Sequence, residues 1–233
     1  MAGVRRRRAR SPEDKAARKQ AVLDEAWRLF QRGPWSALTL AQVAEGVGLS
    51  KAALYRYFDT KETLFLAVEE SQLTLWLLSL GETLDALERP SSAEQLAYAL
   101  TASLEARPAM ARLLALLHVE LEQNLKQAEA LRFKRALHAL LSRFGAQLAR
   151  AAGLASPEAG LHAALLVHAL IIGLWQVSDA PPQLARLLET GRLKELRVEF
   201  LPALKVGAAA LLRGLAQARA PHRPVASPRA AAR

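Results

Sequence analysis

The sequence predicts an all-α fold, and three observations carry that expectation. Hardly any stretch alternates apolar and polar residues with the period of two that a half-buried strand needs. Ala and Leu, both strong helix formers, dominate the composition. Stretches with apolar residues at helical spacing are separated by short breaks such as Gly33-Pro34, Arg89-Pro90 and Ala180-Pro181-Pro182. A chain of 233 residues, 52% of them hydrophobic, can bury a real core, which argues against wholesale disorder.

The first helix starts at Ser11-Pro12, with Ser as cap and Pro at the first helical position. Its apolar residues Val22, Ala26, Leu29 and Phe30 share one face, and Gly33-Pro34 ends it. Thr39 and Gln42 then form a capping box, with Leu38 and Val43 placed as a hydrophobic staple. The helix they open is short, because Gly46 and Gly48 follow, Gly48 where a left-handed C′ residue is wanted. Ser50 caps a third helix with Leu49 and Leu54 as its staple, and Phe58 lies one turn beyond Leu54. A helix of at most two turns, starting about three residues after its predecessor stops, has the spacing of a helix-turn-helix over about residues 39–58. Asp59-Thr60 opens a fourth helix running towards Leu87. Beyond Arg89-Pro90-Ser91-Ser92, helices are expected over about 92–106, 108–122, 124–152 and 156–178, and a last one over 197–218 with Pro202 in or near its first turn.

The net charge of +10 is unevenly placed. Residues 1–20 carry +6, residues 213–233 carry +5, and the remainder sums to −1. The arm Arg5-Arg6-Arg7-Arg8-Ala9-Arg10 reads as phosphate-seeking or as a solvated tail. With no cysteine, a disulfide scaffold, a Cys-ligated zinc site and thiol catalysis are excluded. No targeting segment is expected, since Ser11-Pro12-Glu13-Asp14-Lys15 stands where an apolar signal core would be. The most apolar stretch, Leu161 to Val177, contains His162, His168 and Gln176, so it reads as a buried helix rather than a membrane span. A cytoplasmic protein without a membrane partner is expected.

Burying Leu54 and Phe58 turns Lys51, Ala52, Tyr55 and Arg56 away from the domain core, onto a face that can enter a major groove. Lys51 can donate to guanine or to phosphate, and Ala52 and Ala53 offer only methyl contacts. Tyr55 and Tyr57 present hydroxyls, and Thr39 and Lys61 lie at helix N-termini, which favour phosphate.

Residues Gly33, Leu38-Thr39, Val43-Ala44, Gly48-Leu49-Ser50, Leu54-Tyr55, Tyr57-Phe58, Lys61-Glu62 and Leu64 stand in the pattern of a known family. Over about residues 16–76 the chain resembles the DNA-binding domain of the TetR family of bacterial transcriptional regulators. The resemblance implies DNA contacts at Thr39, Ser50, Lys51, Tyr55, Tyr57 and Lys61. It also implies a larger helical C-terminal domain for ligand binding and dimerisation. The chain departs from the pattern at Ala52 and Ala53, where a small polar residue or Gly and then Thr are usual, and at Val47, where Ala is usual. The organisation expected is a disordered basic arm (1–13), the helix-turn-helix domain (14–76), the ligand-binding and dimerisation domain (77–218) and a disordered basic tail (219–233).

Within that second domain, Trp76, Met110, Phe133, Phe144 and Trp175 could line a pocket or simply pack the core. His118, Gln123, His138, His168 and Gln176 would orient an apolar ligand in it. The pairs His118/Glu122 and Glu158/His162 could each hold half a metal site, but capped, solvated or core histidines are the blander reading. No metal or cofactor is expected. The helix over 156–178 is apolar almost all round through Leu161, Leu165, Leu166, Ala169 and Ile172, so it needs cover on more than one side, from a second copy or from its own chain. The function expected is a homodimeric repressor on palindromic double-stranded DNA, released by a small hydrophobic ligand. An activator or a ligand-independent DNA-binding protein is the alternative. An all-helical enzyme has no nucleophile motif, phosphate loop or metal-ligand cluster to support it.

Overall fold

The computed structural model describes residues 12–116 and 126–218, and those residues form helices without a strand. The helices are α1 (Pro12–Arg32), α2 (Leu40–Gly46), α3 (Lys51–Tyr55), α4 (Lys61–Asp85), α5 (Ala93–Glu105), α6 (Ala109–Leu116), α7 (Gln127–Ala152), α8 (Pro157–Ser178), α9 (Pro182–Leu187) and α10 (Phe200–Gln217). Short 3₁₀ turns cover Trp35–Ala37 and Gly191–Leu196. The basic arm, the C-terminal tail, His118, Glu122 and Gln123 lie outside the described residues.

Local chemistry sets the helix-turn-helix. The Thr39 hydroxyl accepts from the Gln42 amide at 3.3 Å, and Gln42 Oε1 accepts from the Thr39 amide at 2.8 Å. At the other end of α2, Gly48 has φ +59°, which a residue with a Cβ resists. The Leu49 amide donates to the Ala44 carbonyl at 2.8 Å and the Gly48 amide to Glu45 at 2.9 Å, satisfying carbonyls the helix leaves open. Ser50 caps α3 through the Ala53 amide at 3.2 Å.

The sequence reading differs from the fold at the start of α7, which opens at Gln127 rather than near residue 124, and in two places further on. The stretch after Pro181-Pro182, read as a break, contains α9 and the second 3₁₀ turn. The last helix starts at Phe200 rather than near Arg197. Pro202 explains this: its ring tolerates only the first helical turn, and a start at 197 would drive it against the carbonyl four residues back.

Two apolar cores divide the molecule. The N-terminal core gathers Val22, Ala26, Phe30, Val43, Leu54, Phe58, Leu64, Phe65 and Val68, and is completed by Ala109 and Leu113 of α6 and Phe133 of α7. The C-terminal core takes Leu73 to Leu84 of α4 with faces of α5, α7, α8 and α10. Thus α4 is one unbroken helix shared by both. Arg112 of α6 bridges the cores: its guanidinium donates to the Phe30 carbonyl and stands 4.1 Å from the Phe30 ring centroid.

α7 and α8 cross closely because glycines meet there. A Cβ on Gly160 would strike the Gly145 carbonyl, and one on Gly145 would lie 2.5 Å from the Leu161 nitrogen. α8 is long and apolar enough to cross a membrane by length and composition alone. In the structure it packs against α6, α7 and α10, burying Gly160, Ala163, Ala164, Val167 and Ile171.

Candidate nucleic-acid interface

Leu54 is fully buried and Phe58 follows it into the same core, so the register of α3 is pinned from beneath. Lys51, Ala52 and Arg56 are exposed, and Tyr55 is 41% exposed. Lys51 Nζ lies 5.9 Å from the Tyr55 ring centroid, so the two extend together from the outward face. Ala53 is half-buried and Ala52 exposed, so Ala52 presents the more open methyl group of the two. Arg56 is the C-cap of α3 and Tyr57 lies just past it, half-buried against the N-terminal core.

The flanking sites differ from one another. The Thr39 hydroxyl is closed on Gln42, accepting from its amide and donating to Oε1 at 3.0 Å. What this corner offers a phosphate is the exposed start of α2, whose first amides have no intrahelical acceptor. Lys61 is already engaged. Its ammonium donates to the Trp35 carbonyl at 3.1 Å and sits 3.9 Å from the Trp35 ring centroid, tying the start of α4 to the first 3₁₀ turn. An ammonium has three donors, so two remain for a phosphate. The Trp35 ring meets Phe65 edge-on at 4.9 Å. Sequence reasoning gave Trp35 no role, and the available signal was an aromatic placed directly after Gly33-Pro34, off every helical face.

Residues 22–68 match the model of the tetR family of bacterial regulatory proteins. Residues 70–219, more than half of the chain, match the tetracyclin repressor-like C-terminal domain. The chain belongs to the TetR family. It is 38% identical to the HTH-type transcriptional regulator RutR of Escherichia coli over 65 residues, which are 28% of this chain and 31% of RutR. It is 33% identical to the nucleoid occlusion factor SlmA of Colwellia psychrerythraea over 105 residues, 43% of this chain and 52% of that one. The chain therefore spans 31% of the length of the first of these curated relatives and 52% of the second. Its fold matches a TetR transcriptional regulator from Rhodococcus sp. with a TM-score of 0.54 at 21% identity, covering 89% of this chain and 100% of that one. A TetR transcription regulator from Haloarcula marismortui gives a TM-score of 0.51 at 18% identity, covering 86% and 98%. This TetR-family member joins an N-terminal domain of the tetR regulatory-protein type, which contains α3, to a tetracyclin repressor-like C-terminal domain.

Within the TetR-type C-terminal domain, the residues read as pocket-lining are dispersed. Trp76, Phe144 and His168 do line one cavity, with Leu73, Leu100, Leu141 and Ile171. It measures about 30 Å³, room for a water or two rather than a ligand. Trp76 Nε1 donates to Ser103 Oγ at 2.9 Å. Met110 is buried in the C-terminal core without lining that cavity, and Phe133 belongs to the N-terminal core. His138 is exposed on α7 and lines none of the cavities described, because the register that buries Phe133, Leu141 and Phe144 turns it outward. Trp175 stands at the far end of α8, away from the Trp76 cavity. Glu158 and His162 are both exposed, and no group of three metal-ligating side chains gathers among the described residues.

The outward face of α8 is uncovered among the described residues. Leu165 is 46% exposed, Ala169 is exposed and Leu166 is half-buried. Leu161 and Ile172 are half-buried and pack partly on the C-terminal core. On α10, Val206 is 71% exposed, with Ala210 and Gly214 on the same side.

Proposed function

We propose that this TetR-family regulator is a cytoplasmic, dimeric repressor. It seats α3 of each copy in successive major grooves of a palindromic operator and leaves when a small apolar molecule binds. The observation that carries the reading is the α3 face: Lys51, Ala52, Tyr55 and Arg56 exposed above a register fixed by Leu54 and Phe58. One such helix reads few bases, so two copies on half-sites one helical turn or a multiple apart supply the specificity. The apolar outward face of α8, with Val206 of α10, supports a second copy as the missing cover. The cavity between Trp76, Phe144 and His168 is the place where an apolar effector would part α4 from α7 and α8. Because α4 follows α3 directly, tilting it would change the spacing of the two α3 helices. The effector must favour the DNA-incompetent state to shift the balance. Selection of bound DNA from a random pool tests the reading: it should return an inverted repeat, and an unstructured consensus would overturn it.

Three results are expected here. Lys51→Ala should weaken operator binding by about 1–3 kcal/mol and relax one base position, measured on operators varied at each position. Deleting residues 1–10, which carry five of the arginines, should flatten the slope of log affinity against log salt. An unchanged slope would make the arm a solvated tail. An apolar ligand that raises the melting temperature should also release the operator. If every stabilising ligand leaves operator affinity unchanged, effector release fails and DNA binding stands.

A further inference from the structure

A larger cavity lies where the two cores meet. Gln31 from the end of α1, Pro108, Ala109 and Arg112 around the start of α6, and Trp175 and Asp179 at the end of α8 line it, and it measures about 400 Å³. That is within the roughly 300–1,000 Å³ of small-molecule sites. Its wall carries two opposite charges that do not meet: Asp179 favours the Arg112 cation through space, yet no ion pair joins them. Burial is the larger influence on Arg112 and lowers its pKa from the ordinary value. One guanidinium nitrogen donates to the Phe30 carbonyl, while Nε is buried without an acceptor among the described residues. A half-buried cation without an ion-pair partner is costly, and an anion in the cavity would offset its charge. The first turn of α6 faces the same space, and a helix N-terminus favours negative charge. Trp175 is half-buried and braced edge-on by Phe200 at 5.4 Å, so it offers a fixed apolar surface.

We propose that this junction cavity binds a small monocarboxylate with a flat apolar body. The carboxylate accepts from Arg112, the body packs on Trp175, and Asp179 turns away a second negative charge. The site shares no residue with the Trp76 cavity or with α3, so it does not rest on operator release.

Titration calorimetry of the full-length protein with 3-phenylpropionate, and with 3-phenylpropanol as its uncharged counterpart, tests the assignment. The carboxylate should bind saturably at one site per chain, and the alcohol about tenfold or more weaker, as losing a hydrogen bond to a charged group requires. Arg112→Gln should weaken the carboxylate by a similar factor and leave the alcohol unchanged. Arg112 also holds Phe30, so a second variant keeps the test independent of folding: Asp179→Asn should tighten the carboxylate without affecting the alcohol. Absence of saturable carboxylate binding, equal affinity for both probes, or indifference of the carboxylate to Asp179→Asn would overturn the proposal.

Discussion

Leu165→Glu is expected to convert the protein into a folded monomer that no longer holds its operator. Leu165 sits at the centre of the outward α8 face and outside the C-terminal core, so a carboxylate there is solvated in one copy and buried against a second. Linking two half-site contacts through a dimer is worth roughly 10²–10⁴ in affinity, and that factor is what the variant should lose. Light scattering reads the oligomeric state, circular dichroism the helix content, and operator titration the affinity. A variant that stays dimeric moves the interface elsewhere. A variant that unfolds would mean that Leu165 is held by its own chain. Ile172 is a poorer site for this test, because it packs partly on the C-terminal core and a charge there would disturb the monomer as well.

Gly160→Ala is expected to destabilise the fold by about 2 kcal/mol or more, at the upper end of overpacking costs. In an isolated helix the change would be favourable by about 1 kcal/mol, since Ala is the better helix former. Here the added methyl meets the Gly145 carbonyl and stands 2.8 Å from Ala149 Cβ. Backbone blocks it, so α7 and α8 must separate and loosen the packing of Phe144, Leu148 and Ala163. Gly81→Ala is the matched comparison: the nearest atoms its methyl meets are the amide end of the Gln147 side chain, which can swing aside at the expense of one exposed hydrogen bond to Asp85. Urea denaturation should show a lower midpoint for the first variant and a small change for the second. Equal midpoints would remove the glycine crossing as a determinant of the fold.

Much of the architecture was legible because helix ends are written in local chemistry. Thr39 with Gln42, Ser50 before Lys51, Gly48 after α2 and Ser156-Pro157 before α8 each act within a few residues of themselves. The outward face of α3 was legible for a related reason, since two buried residues on one short helix determine which others point away. Interactions between distant residues left no such trace. Lys61 finds Trp35 across 26 residues, and Arg112 finds Phe30 across 82. The intended ligand pocket suffered most. Aromatics at helical spacing signal burial, but α7 serves two cores along its length, so Phe133 and Phe144 end in different ones. α9 was missed because a six-residue helix is too short to show a period.

The N-terminal core closes only with side chains supplied from beyond α4: Ala109, Leu113 and Phe133. A fragment cut after α4 would retain the whole of α3 with its exposed face and would still lack part of the wall behind it. The helix-turn-helix portion is therefore not a cassette. Grafting it onto another regulator's body means carrying matching surfaces of α6 and α7 with it, and exchange of binding specificity between relatives is constrained by side chains that come nowhere near DNA.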